Sequence, residues 1–169
     1  LNNAGLPITM EESIYLQPIM KQIAEQKGQL TETEMIEVYH KELLNIGGPF
    51  KLKKFIEHSS DNDEIKKYEI EIDFNGEILK GIDEGKGPIE VIFSILRKND
   101  INIKLNFYKQ FAIDEINLGS KAKAMTEIHF VDLDKDLKII CRGLHNDTRK
   151  ANINAIFNGL NIWYKINKK

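Results

Sequence analysis

Cysteine is almost missing. Cys141 stands alone among 169 residues, so no disulfide can form within the chain. A chain without disulfides suits a reducing compartment, and the cytoplasm is the expected location. An excess of positive charge is missing too. The formal net charge is −2, with 24 basic against 26 acidic residues, which leaves no basic footprint for nucleic acid. No run approaches the ~18 consecutive apolar residues of a membrane span, and no basic-then-apolar signal opens the sequence. The first residue is Leu1 rather than Met, which fits a piece of a longer protein. What is present suffices for folding. Hydrophobic residues make up 41% and support a core, and 30% charged residues favour solubility.

Residues 1–48 read as a small helical subdomain. Glu11, Glu12 and Ser13 suit a first helical turn, followed by a patchy stripe of Ile14, Pro18, Ile19, Ile23 and Ala24. Pro18 weakens that helix or shifts its start, and Gly28 stops it. Thr31 and Glu34 form a capping box for a second helix carrying Met35, Ile36, Tyr39, Leu43 and Leu44. Gly47-Gly48-Pro49 then breaks the pattern and marks the boundary to a second region, 49–169.

From Phe50 onward the period is two. Strands are expected from Phe50 to about His58, from Tyr68 to Phe74 and from Ile78 to Ile82, with Asn75-Gly76 as a hairpin turn. Pro88 suits a first helical position, and Ile89, Ile92, Phe93 and Leu96 supply the buried face of a helix ending near Lys98. The plan then repeats. Ile101 to Phe107, Met125 to Val131 and Leu137 to Cys141 alternate as strands. Asp147 caps a helix from about Thr148 to Trp163 that buries Ala151, Ala155, Ile156, Phe157 and Leu160. Two consecutive strand-strand-strand-helix units predict an α+β sandwich of sheets and helices.

Chemistry-bearing residues are sparse. Gly85-Lys86-Gly87-Pro88 joins a strand to a helix, where backbone N–H groups suit a carboxylate, yet neither a dinucleotide nor a P-loop motif is completed. The same four residues also fit a plain turn with no ligand. His40, His58, His129 and His145 lack ligand-like spacing, so no metal site is expected. Asp132, Asp134 and Asp136 lack the glycine and closing glutamate of a calcium loop, which leaves a solvated hairpin turn. Cys141 fits a buried strand position, and no Gly-x-Ser-x-Gly appears. No set of residues assembles a catalytic centre. A module that binds or assembles is the better reading. The small residues Gly119, Ala122 and Ala124 at the start of a strand leave room for a ligand, or simply pack against a helix.

Three stretches together resemble a known family. GKGPIEVIFSIL (Gly85 to Leu96) is similar to the Gly-x-Gly-Pro-Val/Ile-Asp-Ala pattern in the C-terminal regulatory domain of 2-isopropylmalate synthases. Tyr108 followed by GSKAKA (Gly119 to Ala124) resembles that domain's Tyr and Gly-x-x-Ala-x-Ala. RGLHNDTRKANINAIFNGLN (Arg142 to Asn161) resembles its closing helix, and residues 1–48 resemble the subdomain that links barrel to regulatory domain. The resemblance implies a homodimer that binds leucine as a feedback effector. It places leucine against Gly85, Gly87, Pro88, Ile89, Tyr108, Ala112, Ala122 and Ala124. It further implies that acetyl-CoA and 3-methyl-2-oxobutanoate condense on a metal-dependent barrel outside this sequence, so this region needs no cofactor. Departures are Glu90-Val91 in place of Asp-Ala, and Ala151-Asn152 in place of Ala-Ser. Two alternatives stay open: the regulatory domain of a citramalate synthase responding to isoleucine, and a structural dimerisation module without ligand.

Overall fold

The computed structural model of the chain describes residues 1, 5–59, 64–113 and 123–168. The sequence expectation of an α+β fold built from two repeated units is met. Strands β1 (Phe50–His58), β2 (Lys66–Phe74) and β3 (Glu77–Gly85) form one antiparallel sheet, followed by helix α3 (Pro88–Lys98). Strands β4 (Ile103–Ile113), β5 (Lys123–Asp132) and β6 (Leu137–His145) form the second, followed by α4 (Thr148–Asn167). Helices α1 (Met10–Lys27) and α2 (Glu32–Tyr39) precede both units.

Local chemistry explains most boundaries. Thr9 with Glu12 and Thr31 with Glu34 each complete a capping box, satisfying the first amides of α1 and α2. The β2–β3 hairpin turns on Asn75 (φ 53°) and Gly76 (φ 88°), the left-handed pair that a two-residue turn requires. Asp147 accepts hydrogen bonds from the Arg149 and Lys150 amides and starts α4.

One continuous core joins the two units. Ile70, Ile72 and Leu79 of the first sheet, Ile92, Phe93 and Leu96 of α3, Ile128 and Phe130 of the second sheet, and Ile156 and Leu160 of α4 are all buried in it. Phe93 meets Phe130 edge-on, with ring centres 5.9 Å apart, so α3 reaches the opposite sheet. Each fully buried side chain of this size contributes about 1.5–3 kcal/mol. A second core lies on the other face of the β4–β6 sheet. There Leu6, Leu16, Ile36 and Tyr39 cover Met125 and Ile113. A buried Arg142 anchors this seam by pairing with Glu127 of β5 at 2.8 Å and with Glu12 of α1. The two carboxylates hold Arg142 charged against the opposing effect of burial.

Several sequence expectations shift. Pro18 neither ends nor delays α1. It lies inside the helix on the face turned to water, beside Ile14, which is exposed rather than part of the apolar stripe. Leu16 is buried in Ile14's place. The second helix does not run regularly to Leu44, because the α-helix ends at Tyr39 and widens into a π-helical turn over His40–Leu44. Strand β6 continues past Cys141 to His145 and takes in Gly143, because a β5 residue pairs with every position that far. Helix α4 extends beyond Trp163 to Asn167. Asp132 is buried rather than solvated, since its carboxylate accepts from the Trp163 indole at 2.6 Å and from the Asp134 amide.

Candidate functional site

The two units present equivalent turns. Each third strand ends at a residue, Gly85 or His145, after which two bend residues lead to the first helical position, Pro88 or Thr148. The helix caps differ. Asp147 satisfies the start of α4 with its own carboxylate, whereas Gly87 has no side chain and α3 carries no side-chain cap. A Cβ at Gly87 would meet nothing within 4 Å. The backbone there is extended (φ −172°), so neither strain nor crowding within the chain requires glycine.

Gly85 has a different explanation. The sequence reading sets it in the loop to let a ligand approach, but it is the buried last residue of β3. A Cβ at Gly85 would stand 2.9 Å from Val91 Cγ2 and 3.1 Å from Glu90 Oε2. Its missing side chain makes room for the first turn of α3. Glu90 folds back over this turn and accepts the Lys86 N–H at 3.0 Å. Ile89 is half-buried beside them at the edge of the main core. Asp83, two residues before the end of β3, ties the strand to α3. Hydrogen bonds from Lys98 and Ser94 hold its carboxyl down at about 2.

The other sequence-predicted residues gather at the second turn. Tyr108, Gln110 and Ala112 share one face of β4, and Ala112 pairs directly with Ala124 of β5. Ala122 lies outside the described residues. A cavity of about 290 Å³ opens here, lined by Gln110, Phe111, Ala112, Lys123, Ala124, Asn146 and Thr148. None of Gly85, Gly87, Pro88 and Ile89 lines it. The structure therefore divides the predicted set between the two turns of one chain.

Beside the cavity, Asn152 of α4 organises a polar cluster. Its Oδ1 accepts from Thr126 Oγ1 at 2.7 Å, Gln110 Nε2 at 3.0 Å and the Tyr108 hydroxyl at 3.4 Å. Gln110 also donates to the Thr148 carbonyl at 3.1 Å. Motif reading missed Gln110, Thr126 and Asn152. Period two from Tyr108 through Gln110 to Ala112 was the available signal, as was Asn152 standing where the resembled pattern has serine. Chemically the cavity offers an ammonium, carboxamides and a hydroxyl-bearing turn beside two alanines and a phenyl ring. Such a lining suits a small molecule with one charged end and one apolar end.

Cys141 is fully buried, and burial pushes its thiol up, away from reactive thiolate. Among the described residues no group of three or more His, Cys, Asp or Glu is placed to hold a metal ion. Nor is any described helix long and apolar enough to cross a membrane.

The sequence has counterparts among known proteins. A 2-isopropylmalate synthase of Clostridium acetobutylicum is 29% identical over 149 residues, which covers 85% of this chain and 26% of that protein. One from Desulfitobacterium hafniense is 26% identical over 138 residues, covering 81% of this chain and 24% of its own. One from Clostridium kluyveri is 27% identical over 146 residues, covering 85% and 27%. The chain thus spans about a quarter of the length of these relatives. A family model described as the LeuA allosteric (dimerisation) domain matches residues 29–164, which takes in the first strand-strand-strand-helix unit and the second as far as Tyr164 of α4, and the chain belongs to that family.

Proposed function

We propose that this chain is the C-terminal allosteric domain of a cytoplasmic 2-isopropylmalate synthase. It binds leucine, forms a homodimer, and slows the condensation of acetyl-CoA with 3-methyl-2-oxobutanoate on a barrel elsewhere in the enzyme. That barrel would hold the divalent metal and carry the committed step of leucine synthesis. The observation that carries the reading is the unequal pair of turns. One helix start is closed by Asp147, while the other is bare at Gly87, with open space where a side chain would stand. A helix start lacking an internal cap is a natural seat for a carboxylate. An apolar notch is available at Phe111, Ala112 and Ala124. The two features lie on different units, so a twofold dimer that sets one protomer's bare turn against its partner's notch would complete the site. Leucine then favours one arrangement of the pair, and a coupling of about 1–3 kcal/mol is typical of such links.

One observation favours the alternative of a dimerisation module without ligand: Glu90 already brings a carboxylate to the first turn and occupies the Lys86 amide. A thermal-shift panel separates the readings. Leucine raises the melting temperature if the proposal holds, by mass action on the folded dimer. Equal and negligible shifts with leucine, isoleucine and valine would select the module. A shift with isoleucine alone would point to a citramalate synthase.

A further inference from the structure

A second cavity, also about 290 Å³, lies where the helical subdomain meets the end of the β4–β6 sheet. Its lining comprises His40, Leu44 and Asn45 from the π-helical turn and the residue after it, Lys123 from β5, Leu144 and His145 from β6, and Asn146. Two imidazoles, an ammonium and two carboxamides converge there. Among the described residues, none of those lining it is acidic. The tautomer of one imidazole follows from geometry. His145 Nδ1 accepts the Asp147 N–H at 2.9 Å, so a neutral ring carries its proton on Nε2 and is a donor. His40 and Lys123 each already have an interaction within the protein, and an ammonium has three protons to share. The turn that carries His40 is itself unusual, since π-helical turns concentrate at functional sites.

We propose that this cavity binds a phosphate group, held by His40, Lys123 and His145 with the carboxamides of Asn45 and Asn146. The preference is for an anion because the lining is rich in N–H donors and carries positive charge. It is for a phosphate, whose several oxygens can accept together, because the donors are supplied by three elements: the π-helical turn, β5 and the end of β6. The site adjoins the leucine notch proposed above, and Lys123 and Asn146 line both cavities.

The four histidines make the test direct. Imidazole resonances of the full chain are followed by NMR as inorganic phosphate is added against sodium chloride of equal ionic strength. The signals of His40 and His145 are identified with His40→Gln and His145→Asn. The expected result is a saturable shift of those two signals alone, with His58 and His129 unmoved as internal controls. His40→Gln weakens the half-saturation of the His145 signal about tenfold, equivalent to ~1.4 kcal/mol. A parallel titration with glycerol phosphate distinguishes a phosphomonoester from free phosphate as the source. Absence of a saturable shift, or the same response to chloride, overturns the proposal. Because the wild-type chain is read directly, a variant that fails to fold does not decide the outcome. A leucine response is recorded in the same samples. Its absence alongside an intact phosphate response would count against the effector reading and leave this one standing.

Discussion

Arg142 and Glu12 lie 130 residues apart in sequence and meet as an ion pair inside the protein, with Arg142 only 3% exposed. Glu12 serves two masters. One oxygen accepts the Thr9 amide at 2.8 Å and completes the α1 cap, and the other binds the guanidinium that also holds Glu127. Glu12→Gln keeps the cap and removes the charge. The expected loss is ~3 kcal/mol, because the substitution leaves a buried guanidinium with one carboxylate. Urea denaturation measures it, and an unchanged midpoint would mean that apolar contacts alone seat the helical subdomain.

Gly143 touches the backbone of α4. A Cβ there would fall 2.3 Å from the Ala151 carbonyl oxygen and 2.3 Å from the Ala155 nitrogen, and a helix backbone cannot yield like a flexible side chain. Gly143→Ala is expected to displace α4 and destabilise the chain by more than ~4 kcal/mol. Circular dichroism during thermal melting reads the effect.

Gly87 is the converse case. With nothing within 4 Å and an extended backbone, Gly87→Val should fold and melt like the parent. The leucine-induced rise in melting temperature should vanish, because the new isopropyl group fills the seat. A Gly87→Val chain that retains the full leucine response would remove the first turn from the site.

Asp83 supplies a pH signature. Its carboxyl is held down at about 2 by Lys98 and Ser94, against ~3.9 in an unfolded chain. A depressed folded value means that the stabilisation is complete above ~4 and is lost as pH falls toward about 2. Asp83→Asn is expected to cost about 1 kcal/mol near neutral pH, a small figure because the pair is partly exposed. The gap between variant and parent should narrow as pH falls through ~4 to ~2 and close only below ~2, where both side chains are neutral. Urea midpoints at both pH values test the sign as well as the size.

Much of this architecture was legible in the sequence because its signals are local. Asn75-Gly76, Thr31 with Glu34, Pro88 and Asp147 each fix a turn or a cap using neighbours within a few residues, and each stands where expected. What escaped depends on distant partners. The reach of β6 to His145 is set by its pairing with β5, and the burial of Asp132 by an indole 31 residues away. Gly85 and Gly87 look alike in a motif, yet one yields space to Val91 and Glu90 while the other faces open space. Only the packing of α3 against β3 separates them. The resemblance set Ala112 and Ala124 against one ligand, and the structure pairs them across β4 and β5. The Asn152 cluster beside them was not anticipated, because three donors converge on one amide from two strands that no spacing rule connects.

Asn161 of α4 accepts the Phe50 amide at 3.0 Å and donates to the Phe50 and Ile46 carbonyls at 3.2 Å, so it satisfies the backbone at the first residue of β1 as a neighbouring strand would. During synthesis that residue emerges 111 residues ahead of the side chain that satisfies it. The nascent first unit therefore waits with the backbone at the start of β1 unsatisfied, a point open to unwanted pairing until the final helix is made.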